Sequence, residues 1–251
     1  LFYLKGIEKT ISIIIPTYNN LYQLKDCVAS IQQQTFTYFD VWIVDGDSTD
    51  GTKVFLETLE KPFHFISEKD NGIYDAMNKG ILLSNGKWLY FLGTDDTLKN
   101  STVLEEVSKK LQSDVDVVSG KIQYQFSDSD SRQIQKNNGI FSSKWSTQIW
   151  IKNILHHQAT FYQRSVFLNN QYNTNYQVLA DYEFNLKMFK NKKKVKIISN
   201  NIAYCCSKGI SKKYRWSMYK EEILFKTKAA SIFLWPLFFM ISLSKYISKK
   251  V

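Results

Sequence analysis

Two adjacent carboxylates, Asp95 and Asp96, close the apolar run Trp88 to Leu92. Such a run reads as a buried strand, so the pair sits at the strand's carboxyl end, the edge at which open α/β sheets bind ligands. Neighbouring carboxylates on a rigid strand end suit a hard divalent cation that also grips a phosphate. Taken alone, an Asp-Asp pair is equally a turn that caps the following helix, and the rest of the chain has to decide. A third acid, Asp181 in Leu179-Ala180-Asp181-Tyr182-Glu183, precedes a helical pattern and is its natural N-cap. His156-His157-Gln158 pairs two histidines, but no Cys or third His supports a zinc site there. Cys27, Cys205 and Cys206 are odd in number and include an adjacent pair, which disfavours a disulfide framework and fits a reducing compartment.

The elements that must position these groups repeat one unit. Ile11 to Ile15 is a β-branched run ending at Pro16, followed by the polar turn Thr17 to Asn20 and a helix with Leu24, Cys27, Val28 and Ile31 inward. Phe39 to Val44 is a second strand, Asp45 to Thr52 a polar loop rich in helix caps, and Phe63 to Ile66 a third strand. Ile73, Ala76, Met77, Gly80 and Ile81 then mark a helix that leads into the Trp88 strand. Strands alternating with helices imply a largely parallel sheet with every acid-rich loop on one edge. Beyond Asp96, Thr102 to Glu105 has the form of a capping box, and Val115 to Ser119 and Ile122 to Phe126 read as two further strands. The polar stretch Ser127 to Gly139 has no periodicity and is expected as a flap, and Gly209-Ile210-Ser211 as the start of a basic helical segment.

With 251 residues, 44% of them hydrophobic, the chain can bury a substantial core, so a disordered protein is excluded. The net charge of +10 is unevenly spread: residues 187–251 hold 16 Lys and Arg against Glu221 and Glu222, a net +14, and residues 1–186 carry −4. Ala229 to Ser244 has no charge at all and is flanked by lysines. That run is shorter than the roughly 18 to 20 apolar residues a spanning helix needs, and Pro236 falls inside it. It is therefore expected to lie on an anionic inner-membrane surface, with lysines on lipid phosphates; a buried C-terminal helix or an oligomer contact is the other outcome. Leu1 to Thr10 lacks the features of a secretory leader, so the expected location is the cytoplasmic face of a bacterial inner membrane. Residues 1–207 are expected as the catalytic domain and 208–251 as the tail.

Across about residues 10–210 the chain resembles the family 2 glycosyltransferases with a GT-A fold, closest to the bacterial branch that builds O-antigen, capsule and other exopolysaccharide repeats. Four motifs carry the likeness in order: Ile13-Ile14-Ile15-Pro16-Thr17-Tyr18-Asn19, Val44-Asp45-Gly46-Asp47-Ser48-Thr49-Asp50-Gly51-Thr52, Asp70-x-Gly72-Ile73-Tyr74-Asp75-Ala76-Met77-Asn78-x-Gly80, and Thr94-Asp95-Asp96. The resemblance implies a Rossmann-like, mostly parallel sheet with flanking helices. It assigns Pro16, Thr17 and Asn19 to a uridine pocket, Asp45 to the uracil N3 proton, Asp47 to the loop or ribose, and Asp70 and Asn78 to further nucleotide contacts. Asp95 and Asp96 match the family's metal site for Mn²⁺ or Mg²⁺, with Asp96 as direct ligand and Asp95 also near the ribose or donor sugar. Relatives often carry Asp two residues before Asp95; here it is Gly93, which leaves open which carboxylate binds the metal. Asp181 matches the general base of the inverting enzymes, with Glu183 as an alternative, and His157 and Gln158 match the segment lining the acceptor side.

The expectation is an inverting, metal-dependent enzyme that moves a hexose or N-acetylhexosamine from a UDP-sugar to a polyprenyl-diphosphate-linked sugar. The alternative is a non-catalytic sugar-nucleotide- or membrane-binding module on the same fold. A dinucleotide-dependent oxidoreductase is disfavoured because no G-x-G-x-x-G follows the first strand. Nucleic acid is not expected as a partner, and the oligomeric state, a homo-oligomer included, is left open.

Overall fold

The computed structural model describes residues 10–125, 139–206 and 215–250. Residues 127–138 of the expected flap and Gly209-Ile210-Ser211 lie outside them. In chain order the elements are β1 (Ile11–Thr17), α1 (Leu21–Gln32), β2 (Phe39–Asp45), α2 (Thr52–Leu56), β3 (Phe63–Ser67), α3 (Ile73–Leu83), β4 (Trp88–Phe91), β5 (Thr97–Leu98) and α4 (Val103–Ser108). There follow β6 (Val117–Gln125), β7 (Ile140–Ser142), β8 (Thr160–Gln163), α5 (Ala180–Lys190), β9 (Val195–Cys206), α6 (Trp216–Ala229) and α7 (Trp235–Lys250), with short 3-10 turns between.

One mixed sheet runs β3-β2-β1-β4-β8-β6-β9-β5, with β7 paired to β6. The expected parallel pairing holds for β3-β2-β1-β4. Beyond β4 the sheet turns antiparallel on both sides of β8, and β6 and β9 are again parallel, with α5 in the connection between β8 and β9. The two strands expected between Val115 and Phe126 are one: β6 runs through, and register shifts around Lys121 against β9 mark a bulge.

All of β1 is buried, and its side chains alternate between two cores. Ile11, Ile13 and Ile15 join the cluster under α1 and α4, whereas Ile14 joins an aromatic cluster with Tyr74, Phe91, Tyr162, Phe167 and Phe184. Burial on both faces explains why β1 and β4 are near-continuous apolar runs rather than alternating ones. The expected capping box is not formed: Thr102 Oγ1 bonds Glu106 at 2.8 Å, and Glu105 bonds Lys109 and Thr35.

The basic C-terminal part is helical and packed. Phe225 of α6 belongs to the aromatic cluster, and Glu222 and Lys226, both buried, form an ion pair to which Lys245 of α7 is added. Pro236 does not break a helix; it lies in the first turn of α7, where its missing N–H costs nothing.

Candidate active site

The carboxyl ends of the parallel strands form one row, with Thr17 in register with Asp45 and Asp45 with Ser67. Asp45 is fully buried; its Oδ2 accepts from Ser67 Oγ at 2.6 Å and Ser48 N at 3.1 Å, and its Oδ1 from Ser48 Oγ. Those contacts tie the Asp45 carboxylate to Ser48 and Ser67, so it shapes the β2 loop. Asn19 has left-handed backbone (φ 46°) and stitches the β1 loop to the β2 loop, donating its N–H to Ser48 Oγ at 2.7 Å and accepting from Thr49 N at 2.8 Å. Pro16 O accepts from Thr94 Oγ1 at 2.7 Å, tying the loop after β4 to the same wall. Thr17 Oγ1 is buried and meets no partner among the described residues.

Two side chains close over Gly46 on this wall. A methyl group at Gly46 would come within 2.8 Å of Asp70 Oδ2 and 3.3 Å of the Tyr18 ring, so both side chains rest on bare glycine backbone. Tyr18 is 65% exposed, leaving an aromatic face open, and Asp70 is half-buried with its Oδ1 on Gly72 N. Asp47, next to Gly46 in the chain, is exposed on a left-handed turn (φ 68°). Asn78 is elsewhere: both ends of its buried amide bond the backbone of Tyr172, at 2.9 and 3.0 Å. Asn78 thereby clamps α3 to the 172 loop.

Asp95 and Asp96 converge over Gly93. A methyl group there would lie 2.4 Å from Asp96 Oδ2 and 3.1 Å from Asp95 Oδ1, so glycine is what lets the two carboxylates meet. Asp96 is 2% exposed, held by Cys206 N at 3.1 Å and by Gln158 Nε2 at 2.7 Å; Asp95 is exposed. Burial first, and the Asp95 charge second, push the Asp96 carboxyl up to about 6. Gln158 Oε1 is buried beside this pair with no donor among the described residues. Two carboxylates and an amide oxygen are hard donors, and among the described residues no ion pair reaches Asp95 or Asp96, so the residues fit a divalent cation of the Mg²⁺ or Mn²⁺ type. Among the described residues no group of three or more His, Cys, Asp or Glu is gathered.

Asp181 lies in the first turn of α5 and is not its cap. The turn before α5 is held instead by Glu221 of α6, which accepts from the N–H groups of Gln177, Val178 and Leu179 at 2.9, 3.1 and 3.0 Å. Freed from capping, Asp181 accepts from Tyr74 Oη at 2.9 Å and Asn153 Nδ2 at 3.1 Å, with His157 Nδ1 at 3.6 Å. Burial opposes its ionised form, but the His157 imidazole, Tyr74 and the Tyr182 N–H outweigh that and hold the carboxyl below its usual range. Glu183 instead pairs with Lys187 at 2.7 Å. Tyr74 stood within a quoted motif without a role, and nothing local in the sequence pointed to Asn153 or Glu221.

The two acid centres meet at one dipeptide: His157 faces Asp181 and Gln158 bonds Asp96. A cation-fitting pair and a buried, ionised carboxylate are thereby presented to one cleft edge.

A family profile described as "Glycosyl transferase family 2" matches residues 12–170. The chain is 36% identical over 192 residues to a "PGL/p-HBAD biosynthesis glycosyltransferase" of Mycobacterium bovis (strain BCG / Pasteur 1173P2), covering 72% of this chain and 70% of that one. It is 28% identical over 193 residues to the "Chondroitin synthase" of Escherichia coli, which covers 71% of this chain and 26% of the longer protein. Among solved structures, S. aureus TarS 1-349 in complex with UDP superposes with a TM-score of 0.66 at 18% identity, over 88% of this chain and 65% of that one. The mannosyltransferase PcManGT from Pyrobaculum calidifontis, in complex with GDP-Man and Mn2+, gives 0.66 at 18% identity, over 97% and 74%.

Proposed function

The chain belongs to glycosyl transferase family 2 and has the GT-A fold, and on that premise we propose an inverting, metal-dependent transferase that moves a hexose or N-acetylhexosamine from a UDP-sugar to a polyprenyl-diphosphate-linked sugar in O-antigen or capsule repeat assembly. The observation that carries the reading is the His157-Gln158 dipeptide, which holds a donor-side acid pair and an acceptor-side carboxylate in one cleft. Inversion requires two such separate centres.

Tyr18 and Asp70, packed over Gly46, take the base: the open face of Tyr18 stacks on uracil, and Asp70 accepts its N3–H, a donor that cytosine lacks. Thr17 Oγ1, unpartnered at the end of β1, and the Pro16–Asn19 wall bound the ribose side, with Asp47 beside it. Asp96, Asp95 and Gln158 Oε1 would hold the cation. When bound, a divalent cation neutralises charge on the departing diphosphate. Asp181 then takes the acceptor hydroxyl proton as that oxygen attacks the anomeric carbon; the bond from that carbon to the diphosphate breaks on the opposite face. Because Tyr74 and His157 keep Asp181 ionised, it is ready as acceptor of that proton at neutral pH. TarS was solved with UDP and with UDP-GlcNAc, which supports a nucleotide-sugar donor of this kind.

A second assignment rests on the 3.6 Å contact of His157 Nδ1 with Asp181. In it the more exposed imidazole receives the proton, and Asp181 orients the ring. Asp181→Asn and His157→Gln separate the two. With UDP-sugars and a polyprenyl-diphosphate sugar as acceptor, loss of about 10²–10⁴-fold in turnover for Asp181→Asn alone, with UDP affinity unchanged, supports Asp181. Equal losses for both variants support the pair acting together. Turnover that survives both substitutions refutes this chemistry, and wild-type protein that binds UDP but transfers no sugar favours the non-catalytic module.

A further inference from the structure

The joint between α6 and α7 is unlike the rest of the surface. Six consecutive apolar residues, Ile232-Phe233-Leu234-Trp235-Pro236-Leu237, are all exposed, Phe233 to 89% and Ile232 to 68%, and Met240, 68% exposed, continues the patch one turn along α7. A monomer gains nothing by offering Phe and Trp side chains to water in one contiguous block. The corner is also firmly presented. Phe238 and Ser242 are buried, the Phe238 ring stacks on Trp150 at 6.1 Å, and Lys245 of α7 joins the buried Glu222.

The charge around the corner has one sign. Lys190, at the end of α5, donates to Ala229 O at the end of α6, and exposed Lys228 has no ion pair among the described residues. No acidic residue follows Glu222 in the chain, and both nearby acids are committed, Glu221 to the turn before α5 and Glu222 to Lys226 and Lys245. Among the described residues no helix is long and apolar enough to cross a membrane.

We propose that the 232–240 corner is a wedge that seats in the headgroup and upper acyl region of an anionic bilayer, with Lys190 and Lys228 on lipid phosphates. An uncharged aromatic tip ringed by cations matches that surface: Trp and Phe sit at the interface, and lysines contribute through the negative surface potential. The inference stands apart from the donor and base assignments, yet it bears on them. Lys190 and Asp181 occupy opposite ends of α5, nine residues or about 13 Å apart along the helix axis, so the seated wedge brings the acceptor-side carboxylate near the bilayer plane.

The test is co-sedimentation of the full chain with vesicles of phosphatidylcholine alone and of phosphatidylcholine mixed with phosphatidylglycerol, at low and high salt, followed by thermal melts of each variant. Wild-type protein should bind the anionic vesicles, weakly bind the neutral ones, and release with salt. Phe233→Ser with Leu237→Ser should weaken binding roughly tenfold or more at unchanged melting temperature, while Leu82→Ser, an equally exposed apolar site on α3, should not. Independently of any folding defect, acyl-chain-brominated lipid should quench tryptophan fluorescence in the wild type and much less in Trp235→Phe. No vesicle binding, binding indifferent to Phe233 and Leu237, or a dimer in light scattering that these substitutions dissolve would each overturn the proposal, the last by naming a second copy as the occupant.

Discussion

Adding one methyl group at Gly93 should dismantle the acid pair without touching Tyr18 and Asp70, the proposed base contacts. In Gly93→Ala the new carbon would lie 2.4 Å from Asp96 Oδ2 and 3.1 Å from Asp95 Oδ1. Ordinary contact begins near 3.5 Å, so the Asp96 carboxylate has to retreat by about 1 Å. The retreat breaks the 2.7 Å bond from Gln158 Nε2, and a hydrogen bond to a charged group is worth about 1.5–3 kcal/mol. Converted, that is a loss of roughly 10- to 150-fold in the cation-supported part of UDP affinity. Calorimetric titration of UDP with and without Mn²⁺ measures it: the affinity in Mn²⁺ should fall toward the metal-free value, while metal-free binding, which the proposal assigns to Asp70 and Tyr18, should stay. UDP affinity in Mn²⁺ that is unchanged in Gly93→Ala would refute the placement of the cation at Asp95 and Asp96.

Asn78→Ala should lower the melting temperature, since two backbone groups of Tyr172 lose partners at about 1–3 kcal/mol each, and leave UDP affinity unchanged. A selective loss of UDP binding would restore Asn78 to the nucleotide site. Because the folded Asp96 carboxyl titrates at about 6, above its ordinary 3.8, a proton must leave before a cation binds below that pH. Mn²⁺-supported UDP affinity should therefore be flat above pH 6 and decline by up to about tenfold per unit beneath it; a flat profile down to pH 4.5 would contradict the burial of Asp96. Lys226 is enclosed and shares Glu222 with Lys245, and burial first lowers its ammonium from 10.5 to about 8. Native protein loses that proton before the unfolded chain does, so stability should rise between about pH 8 and 10.5, by up to about 3 kcal/mol, and Lys226→Met should abolish the rise in denaturant titrations.

Much of the fold was legible because its signals are local. Unbroken apolar runs marked β1, β2 and β4, helical spacing marked α1 and α3, and a strand end followed by Asp95-Asp96 put two carboxylates on the binding edge before any coordinates were known. Where local signals misled, the cause lay elsewhere in the chain. Gly120-Lys121 looks like a strand break but is a bulge, because β9 pairs on both sides of it. Asp181 has the composition of a cap, but Glu221, about 40 residues later, takes that role.

The sequence by itself determined the alternation of strands and helices in the first half, the acid-rich loops and the excess of positive charge near the end, since each depends on neighbours within a turn or a strand. Only the tertiary structure decided which polar groups are spent and which are open. Asp45 is satisfied by Ser48 and Ser67, Asn78 by Tyr172, while Asp70 and Tyr18 stay available over Gly46. Only it showed that the uncharged run 229–244 turns a corner and exposes 232–237 instead of lying in one helix. The physical reason is that a hydrogen bond or a buried face is a property of two segments brought together, and a separation of 22 residues for Asp45–Ser67 or 94 for Asn78–Tyr172 exceeds anything that local propensity records.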